Sequence, residues 1–295
     1  MYAPSDPDPY RSTPAARPLD VNWIHGSPEP KYNDDPDIQV YLFDENTVIL
    51  RQNVAVSFEA PFMFLLFGES RAVLLDTGAT ESAQYFPLRR TVDGLVDEWL
   101  AEHPSVERYP LLVLHTHSHG DHTAGDAQFA DRADTRVVNA LLENAFPYFG
   151  FDEAPDAVIP LDLGGRVLEA LANPGHHKAA ITFYDTATGI LFTGDTVYPG
   201  RLYVFDWDAF DRTIDRLIDF CAERPISHVI GCHIEMSTSA GQDYPMGFSF
   251  HPDEHPLELT VAHLHHIRAT LDENGRRAGR YVLPELIITA MDPPA

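Results

Sequence analysis

The eight residues His115-Thr-His-Ser-His-Gly-Asp-His122 constrain this chain more than any other stretch. They follow directly on Leu111-Leu-Val-Leu114, an apolar run that reads as a buried strand. Four imidazoles and a carboxylate at a strand mouth pack no core. They are the nitrogen and oxygen donors that suit zinc and its first-row neighbours. On extended backbone, side chains at i and i+2 project to one side. His117, His119 and Asp121 therefore converge on one small volume, and His122 follows as the chain turns away. This is the pattern of a metal site.

One run rarely closes such a site, and three later turns supply partners. Pro174-Gly-His176 follows the strand pattern Arg166 to Leu171. Gly194-Asp195 follows Gly189 to Thr193, and Gly231-Cys-His233 follows His228-Val-Ile230. Glycine beside each ligand lets the backbone turn tightly and approach a metal closely.

Taken in order, Thr116-His-x-His-x-Asp-His122, Pro-Gly-His176, Thr-Gly-Asp195 and Gly-x-His233 resemble the metallo-β-lactamase-fold hydrolase superfamily. Leu74-Leu-Asp-Thr-Gly78 is similar to that family's first motif, whose aspartate, here Asp76, braces the site. The resemblance runs over about residues 38 to 235 and implies an α/β fold, a four-layer αββα sandwich. It also implies two metal positions: His117, His119 and His176 at the first, Asp121, His122 and His233 at the second, with Asp195 bridging. Two divalent ions bring four positive charges, and Asp121, Asp195 and a bridging hydroxide offset three. The remaining charge suits polarisation of a carbonyl or phosphoryl oxygen. Zinc is the first expectation, with iron and manganese also matched by these ligands. Zinc lowers the pKa of a bound water from ~16 toward ~7, and Asp121 is placed to orient the resulting hydroxide.

Aspartate at position 195 resembles the thioesterase, lactonase and phosphodiesterase branches; the resembling β-lactamases carry a cysteine there or do not use the position as a bridge. The expected function is therefore a dinuclear metal-dependent hydrolase that cleaves an ester, thioester or lactone carbonyl. The alternative is a persulfide dioxygenase-like oxidoreductase on the same fold, with one iron on His117, His176 and Asp195; a β-lactamase stands further behind. Tyr198 shares its offset from Asp195 with a tyrosine of the lactonase branch, so it is a candidate donor to a developing oxyanion, or a ring packed beside the site. Arg201, in Pro199-Gly-Arg201, resembles the Gly-Arg of glyoxalase II-like enzymes, although that family's cysteine-containing stretch is absent. It can clamp a substrate carboxylate bidentately or pair with a surface acid. His251 is a further candidate substrate contact.

Composition narrows the partners. Forty-five acidic residues face 20 basic ones, for a formal net charge of −25, which repels a phosphate backbone and counts against nucleic acid. No apolar stretch approaches the ~18 residues of a membrane span, and the proline-rich first twenty residues lack a secretory apolar core. Two cysteines, Cys221 and Cys232, make no disulfide framework. The expected setting is cytoplasmic, with a small-molecule substrate, no membrane, and an oligomeric state that the motifs leave open, a homodimer included. Cys221 lies on an apolar helical stripe, and Cys232 is expected to point to the opposite side of the chain from His233 and be buried.

Residues 1–36, rich in Pro, Asp and Ser, read as an extended, partly disordered arm, with Trp23 and Ile24 pinning it to the surface of a catalytic domain over 37–295. Strands are expected at 38–43, 47–52, 61–67 and 71–76, a helix at 92–103, and a hairpin at 180–193. The spacing of Phe210, Ile214, Leu217, Ile218 and Cys221 predicts a helix over 207–224, capped by Asp208. The polar segment 235–256 leaves directly from a metal ligand and is expected to lie over the site as a lid or wall, with His251 and His255 in it. A helix over 256–274, ended by Gly275, and a strand over 281–290 complete the reading.

Overall fold

A computed structural model describes residues 18–29, 32–106 and 108–291. Fifteen strands and five α-helices are seen among them. The first sheet runs β1 (Ile38–Asp44), β2 (Thr47–Gln52), β3 (Phe62–Phe67), β4 (Ala72–Leu75), β5 (Leu111–Leu114) and β6 (Thr135–Val137), in that spatial order. The second holds β7 (Ile159–Asp162), β8 (Val167–Ala172), β9 (Ile181–Asp185), β10 (Ile190–Gly194), β12 (His228–Gly231) and β13 (Glu258–Leu259), in the order β13-β12-β10-β9-β8-β7. A small third sheet sets β15 (Ile287–Ala290) between β11 (Arg201–Val204) and β14 (Arg280–Val282).

The layering follows from burial. Strands β2 to β5 are buried at every position, so both faces of the first sheet need a cover. The inner face packs Ile49, Phe64, Val73 and Leu114 against Leu168, Phe183, Phe192 and Ile230 of the second sheet. The outer face is covered by α1 (Leu88–Glu102), whose buried residues Leu88, Val92, Val96 and Trp99 recur every three or four positions. On the far side, α4 (Trp207–Ala222) and α5 (Val261–Glu273) cover the second sheet through Phe210, Ile214, Leu217, Leu264 and Ile267. The result is the expected αββα sandwich. Two shorter helices complete the chain: α2 (Gly120–Thr123) between β5 and β6 of the first sheet, and α3 (Leu142–Phe149) between β6 and β7, where the chain passes to the second.

Strand direction sets where function sits. β4 and β5 are parallel, and so are β10 and β12; β8 is antiparallel to β9, which is antiparallel to β10. β8, β10 and β12 therefore run the same way. Asp76, the histidine run, His176, Asp195 and His233 each follow the C-terminal end of one of these strands. The two sheets are tied together at that end by Ile181 N–H to Thr116 O (2.7 Å) and Phe62 N–H to Cys232 O (2.8 Å), while Cys232 N–H to Gly194 O (3.1 Å) joins the ends of β12 and β10 within the second sheet.

Several elements differ from expectation. α1 starts at Leu88, four residues early. The cap of α4 is Asp206, which is extended and accepts from Ala209 N–H at 2.9 Å; Asp208 falls inside the first turn. The last helix begins at Val261, because Glu258 and Leu259 pair with β12 and Thr260 forms a capping box with His263. The expected strand over 281–290 is a hairpin of β14 and β15, broken at Leu283-Pro-Glu-Leu286. Residues 1–17 of the arm lie outside the described residues. Trp23 goes beyond surface pinning: it is buried, edge-on to Tyr41 and Phe62 at ring distances of 5.6 and 4.8 Å. Segment 235–256 is stitched by backbone bridges Met236–Asp243, Ser237–Glu254 and Gly26–Phe250 rather than left loose.

Candidate metal centre

The site begins with a strained corner. Asp76, fully buried after β4, takes a left-handed φ of 64°, a conformation aspartate tolerates better than most residues. Its carboxylate accepts from Thr116 N–H and Thr116 Oγ–H, both at 2.8 Å, and faces His122 Nδ1 at 3.0 Å. Asp76 thereby fixes where the histidine run leaves β5 and which nitrogen of His122 carries a proton. Gly194, at φ 54°, sits where an added Cβ would fall 2.7 Å from Thr116 Cβ, so only glycine lets Asp195 come this close to the run.

Two donor sets result. His117 Nε2 and His176 Nε2 lie 3.0 and 3.1 Å from His119 Nδ1. Beside them, Asp121 Oδ2 lies 3.3 Å from both His122 Nε2 and His233 Nε2. Asp195 stands between: its Oδ2 is 3.9 and 3.7 Å from the His117 and His176 nitrogens, and its Oδ1 is 3.5 Å from those of His122 and His233. Each set has all its donor atoms within 4.8 Å of one another. The structure thus brings together all seven residues that the family pattern assigns as ligands. His115, the other imidazole of the run, is turned away toward Val138 O and Asp126.

The outward ring nitrogens face acceptors, which leaves the inward ones as lone pairs. His176 Nδ1 is 2.7 Å from Tyr203 O, and His233 Nδ1 is 2.8 Å from Glu59 O. Buried Asp195 Oδ1 has no hydrogen-bond partner, an arrangement that costs free energy unless a cation satisfies it. Charge tells the same story. Burial holds His117, His119 and His176 below the ordinary histidine range. Burial would also depress His122 and His233, but Asp195 and Asp121 more than reverse it, taking His233 up to about 9. In turn, burial opposes ionisation of Asp121 and Asp195, yet the facing imidazoles hold both far below the usual carboxylate range. The cluster demands positive charge, and its N and O donors fit divalent ions of the zinc type.

Tyr198 and Arg201 are otherwise engaged. Tyr198 is buried, and its single O–H reaches Arg201 O at 2.5 Å with Glu235 Oε2 at 3.1 Å, so that proton is not aimed at a substrate carbonyl. Arg201 donates to Glu235 Oε1 at 2.6 Å, Asp243 Oδ2 at 2.9 Å and Tyr244 O at 2.6 Å. His251 stacks on Tyr244 at 4.3 Å, sets Nδ1 3.1 Å from Glu254, and lines the cavity; His255 does not. Cys221 is core, as expected. Cys232 is buried too, as expected, and its Sγ faces Asp76 Oδ2 at 3.3 Å.

Above the ligands lies a cavity of about 200 Å³. Segment 235–256 forms one wall through Tyr244, Pro245, Met246, Gly247, Phe248 and His251. Sequence reasoning missed Phe58, Glu59, Tyr203 and Phe205 on the other walls; they stand on separate segments, and no local spacing unites them.

A family model described as the metallo-beta-lactamase superfamily matches residues 57–233. A hydroxyacylglutathione hydrolase from Chelativorans sp. (strain BNC1) is 28% identical over 178 residues, 59% of this chain and 64% of that enzyme. The chain therefore spans less than two thirds of that relative's length. The acyl-coenzyme A thioesterase MBLAC2 of Homo sapiens is 27% identical over 205 residues, 58% of this chain and 72% of the relative. Among solved structures, a metallo-beta-lactamase from Pontibacter korlensis superposes with a TM-score of 0.51 at 17% identity, over 80% of this chain and 99% of that one, a likeness of fold.

Proposed function

The chain belongs to the metallo-beta-lactamase superfamily, and on that premise we propose that it is a metal-dependent hydrolase that cleaves an ester, thioester or lactone carbonyl at a two-metal centre. The observation that carries this is Asp195, which offers one carboxylate oxygen to each of two complete donor sets. His117, His119 and His176 would hold one ion; Asp121, His122 and His233 would hold the other. When bound, such ions supply hydroxide at neutral pH and polarise the carbonyl oxygen.

The chain's own groups do the rest. Asp121 lines the cavity where Asp76 does not, so it can also accept a hydrogen bond from the attacking water and turn a lone pair toward the acyl carbon. Tyr203 O and Glu59 O hold the outer protons of His176 and His233, which keeps those rings in the donor tautomer through the cycle. Relatives named for acylglutathione and acyl-coenzyme A hydrolysis support chemistry at an acyl carbon. The intact Asp121–His122–His233 set favours two ions over a single-iron oxygenase, which would leave it idle.

The test is metal analysis of the purified chain beside turnover of ester, thioester, lactone and β-lactam substrates. Two divalent ions per chain are expected, with metal and turnover both lost in His117→Ala and Asp195→Ala. Full activity in either variant, or one iron accompanied by oxygen consumption, overturns the proposal.

A further inference from the structure

The cavity rim is apolar in a way the metal chemistry does not require. Phe58, Phe205, Met246 and Phe248 are 45, 49, 68 and 49% exposed, and all four line the mouth. Scattered exposed apolar residues need no explanation. These come from three separate segments and meet at one opening, which marks a ligand surface. Phe205 approaches the His119 and His176 rings at 6.3 and 5.9 Å, and Phe248 sits 6.3 Å from the His251 ring. The part-open cavity of about 200 Å³ has room for a compact carbonyl head against the ligands, and a longer substituent would run outward along these side chains.

The charges around the cavity point the same way. Arg201 is the only lysine or arginine among the described lining residues. Its guanidinium is already clamped by Glu235 and Asp243, one positive charge against two negative ones. Glu59 also lines the cavity and adds another carboxylate. An anionic group entering here meets no uncommitted cation other than the metals. To recruit Arg201 it would have to pull a part-buried guanidinium off two carboxylates, an expensive exchange.

Resting on the hydrolase reading above, we propose that this site takes an uncharged acyl substrate with a bulky apolar group and discriminates against substrates with an anionic handle. In this it departs from the glutathione and coenzyme A conjugates in the names of its relatives, both of which carry anions. The reaction follows the same course for either class: water adds to the acyl carbon, the acyl–oxygen bond of an ester or the acyl–sulfur bond of a thioester breaks, and a carboxylic acid leaves with an alcohol or a thiol. Selectivity lies in the walls.

The experiment compares three 4-nitrophenyl esters on the metal-loaded full chain: octanoate, acetate and the anionic hemisuccinate. We expect kcat/KM for octanoate to exceed that for hemisuccinate at least tenfold. Phe248→Ser and Phe205→Ser should each lower the octanoate-to-acetate ratio of kcat/KM about tenfold, the scale of lost apolar contact in a binding pocket. A hemisuccinate rate equal to or above that of octanoate, or an unchanged ratio in both variants, overturns the proposal. If no ester, thioester or lactone is cleaved, the hydrolase reading fails and calorimetric binding decides the pocket's preference separately. Saturable binding of octanamide, weakened about tenfold in Phe248→Ser, upholds the apolar site. No binding, or equally tight binding of succinamate, overturns it.

Discussion

Glu254→Gln offers the sharpest test of how the wall over the cavity is held. Arg51, on β2, is 1% exposed and donates through both terminal nitrogens to Glu254 at 2.6 Å, while Glu254 is 7% exposed. The guanidinium also lies over the Phe62 ring at 4.9 Å, and His251 Nδ1 shares Glu254 Oε1. A glutamine keeps the shape but turns an amide N–H₂ toward the guanidinium, leaving a buried charge half-satisfied. Breaking a buried pair in this way costs roughly 3–5 kcal/mol. At about 2 °C per kcal/mol for a chain of this size, Tm should fall by roughly 6–10 °C at pH 7. The pH dependence carries a sign. Burial alone would raise the Glu254 carboxyl, but Arg51 outweighs it and holds the group below its ordinary 4.5. A carboxylate depressed in the folded state stabilises fully above its unfolded pKa, and that contribution disappears as pH falls through the folded value. The Tm gap between the two proteins should therefore be full at pH 7 and narrow progressively below about pH 4.5. Scanning calorimetry at both pH values measures it. Equal Tm values at pH 7, or a gap that widens on acidification, would refute the reasoning. The double replacement Arg51→Met with Glu254→Met should recover most of the loss, since a well-packed apolar pair removes both charges.

Two other outcomes follow from the site. Asp76→Asn tolerates the left-handed backbone but loses the carboxylate that faces Thr116, His122 and Cys232; zinc affinity in a competition titration should fall about 10–100-fold, and unchanged affinity would remove Asp76 from its bracing role. Zinc added to metal-free chain at a thousandfold excess over its Kd should stabilise by about 4 kcal/mol per site, seen as a rise in Tm that chelator reverses; a Tm indifferent to zinc would contradict the donor geometry.

The parts legible in the sequence are those where neighbours in space are also neighbours in the chain. His117, His119, Asp121 and His122 announced themselves because a strand end projects alternate residues into one volume. β2 to β5 did so through continuous apolar runs. The later ligands stood out only because glycine accompanies each of them. Element ends were harder. Asp206 and Asp208 both satisfy the preference for an acidic cap, and only the extended backbone at 206 decides between them. α3, with Pro147 inside it, carries a breaker where a helix is built, and local propensity there yields to packing of Ala145 and Phe149 in the intersheet core.

What the sequence concealed is the chemistry of the walls, for a physical reason. Arg201 resembles a substrate clamp when read beside Asp195, six residues away. Its actual partners, Glu235 and Asp243, lie 34 and 42 residues along the chain, and no local pattern reveals that its charge is already met. Tyr198 is similar: the phenol sits at a promising offset, yet its proton is directed at Arg201 O, within the same corner that clamps the guanidinium. Both residues are bonded to segment 235–256 through Glu235, and the exposed apolar groups on the cavity lining are Phe58, Phe205, Met246 and Phe248. Ligand motifs descend from local backbone geometry and so are shared across a superfamily. Selectivity is assembled from long-range pairings that differ from one chain to the next. In this chain those pairings neutralise the one guanidinium among the described lining residues, and under the selectivity proposed above the apolar rim then chooses what enters.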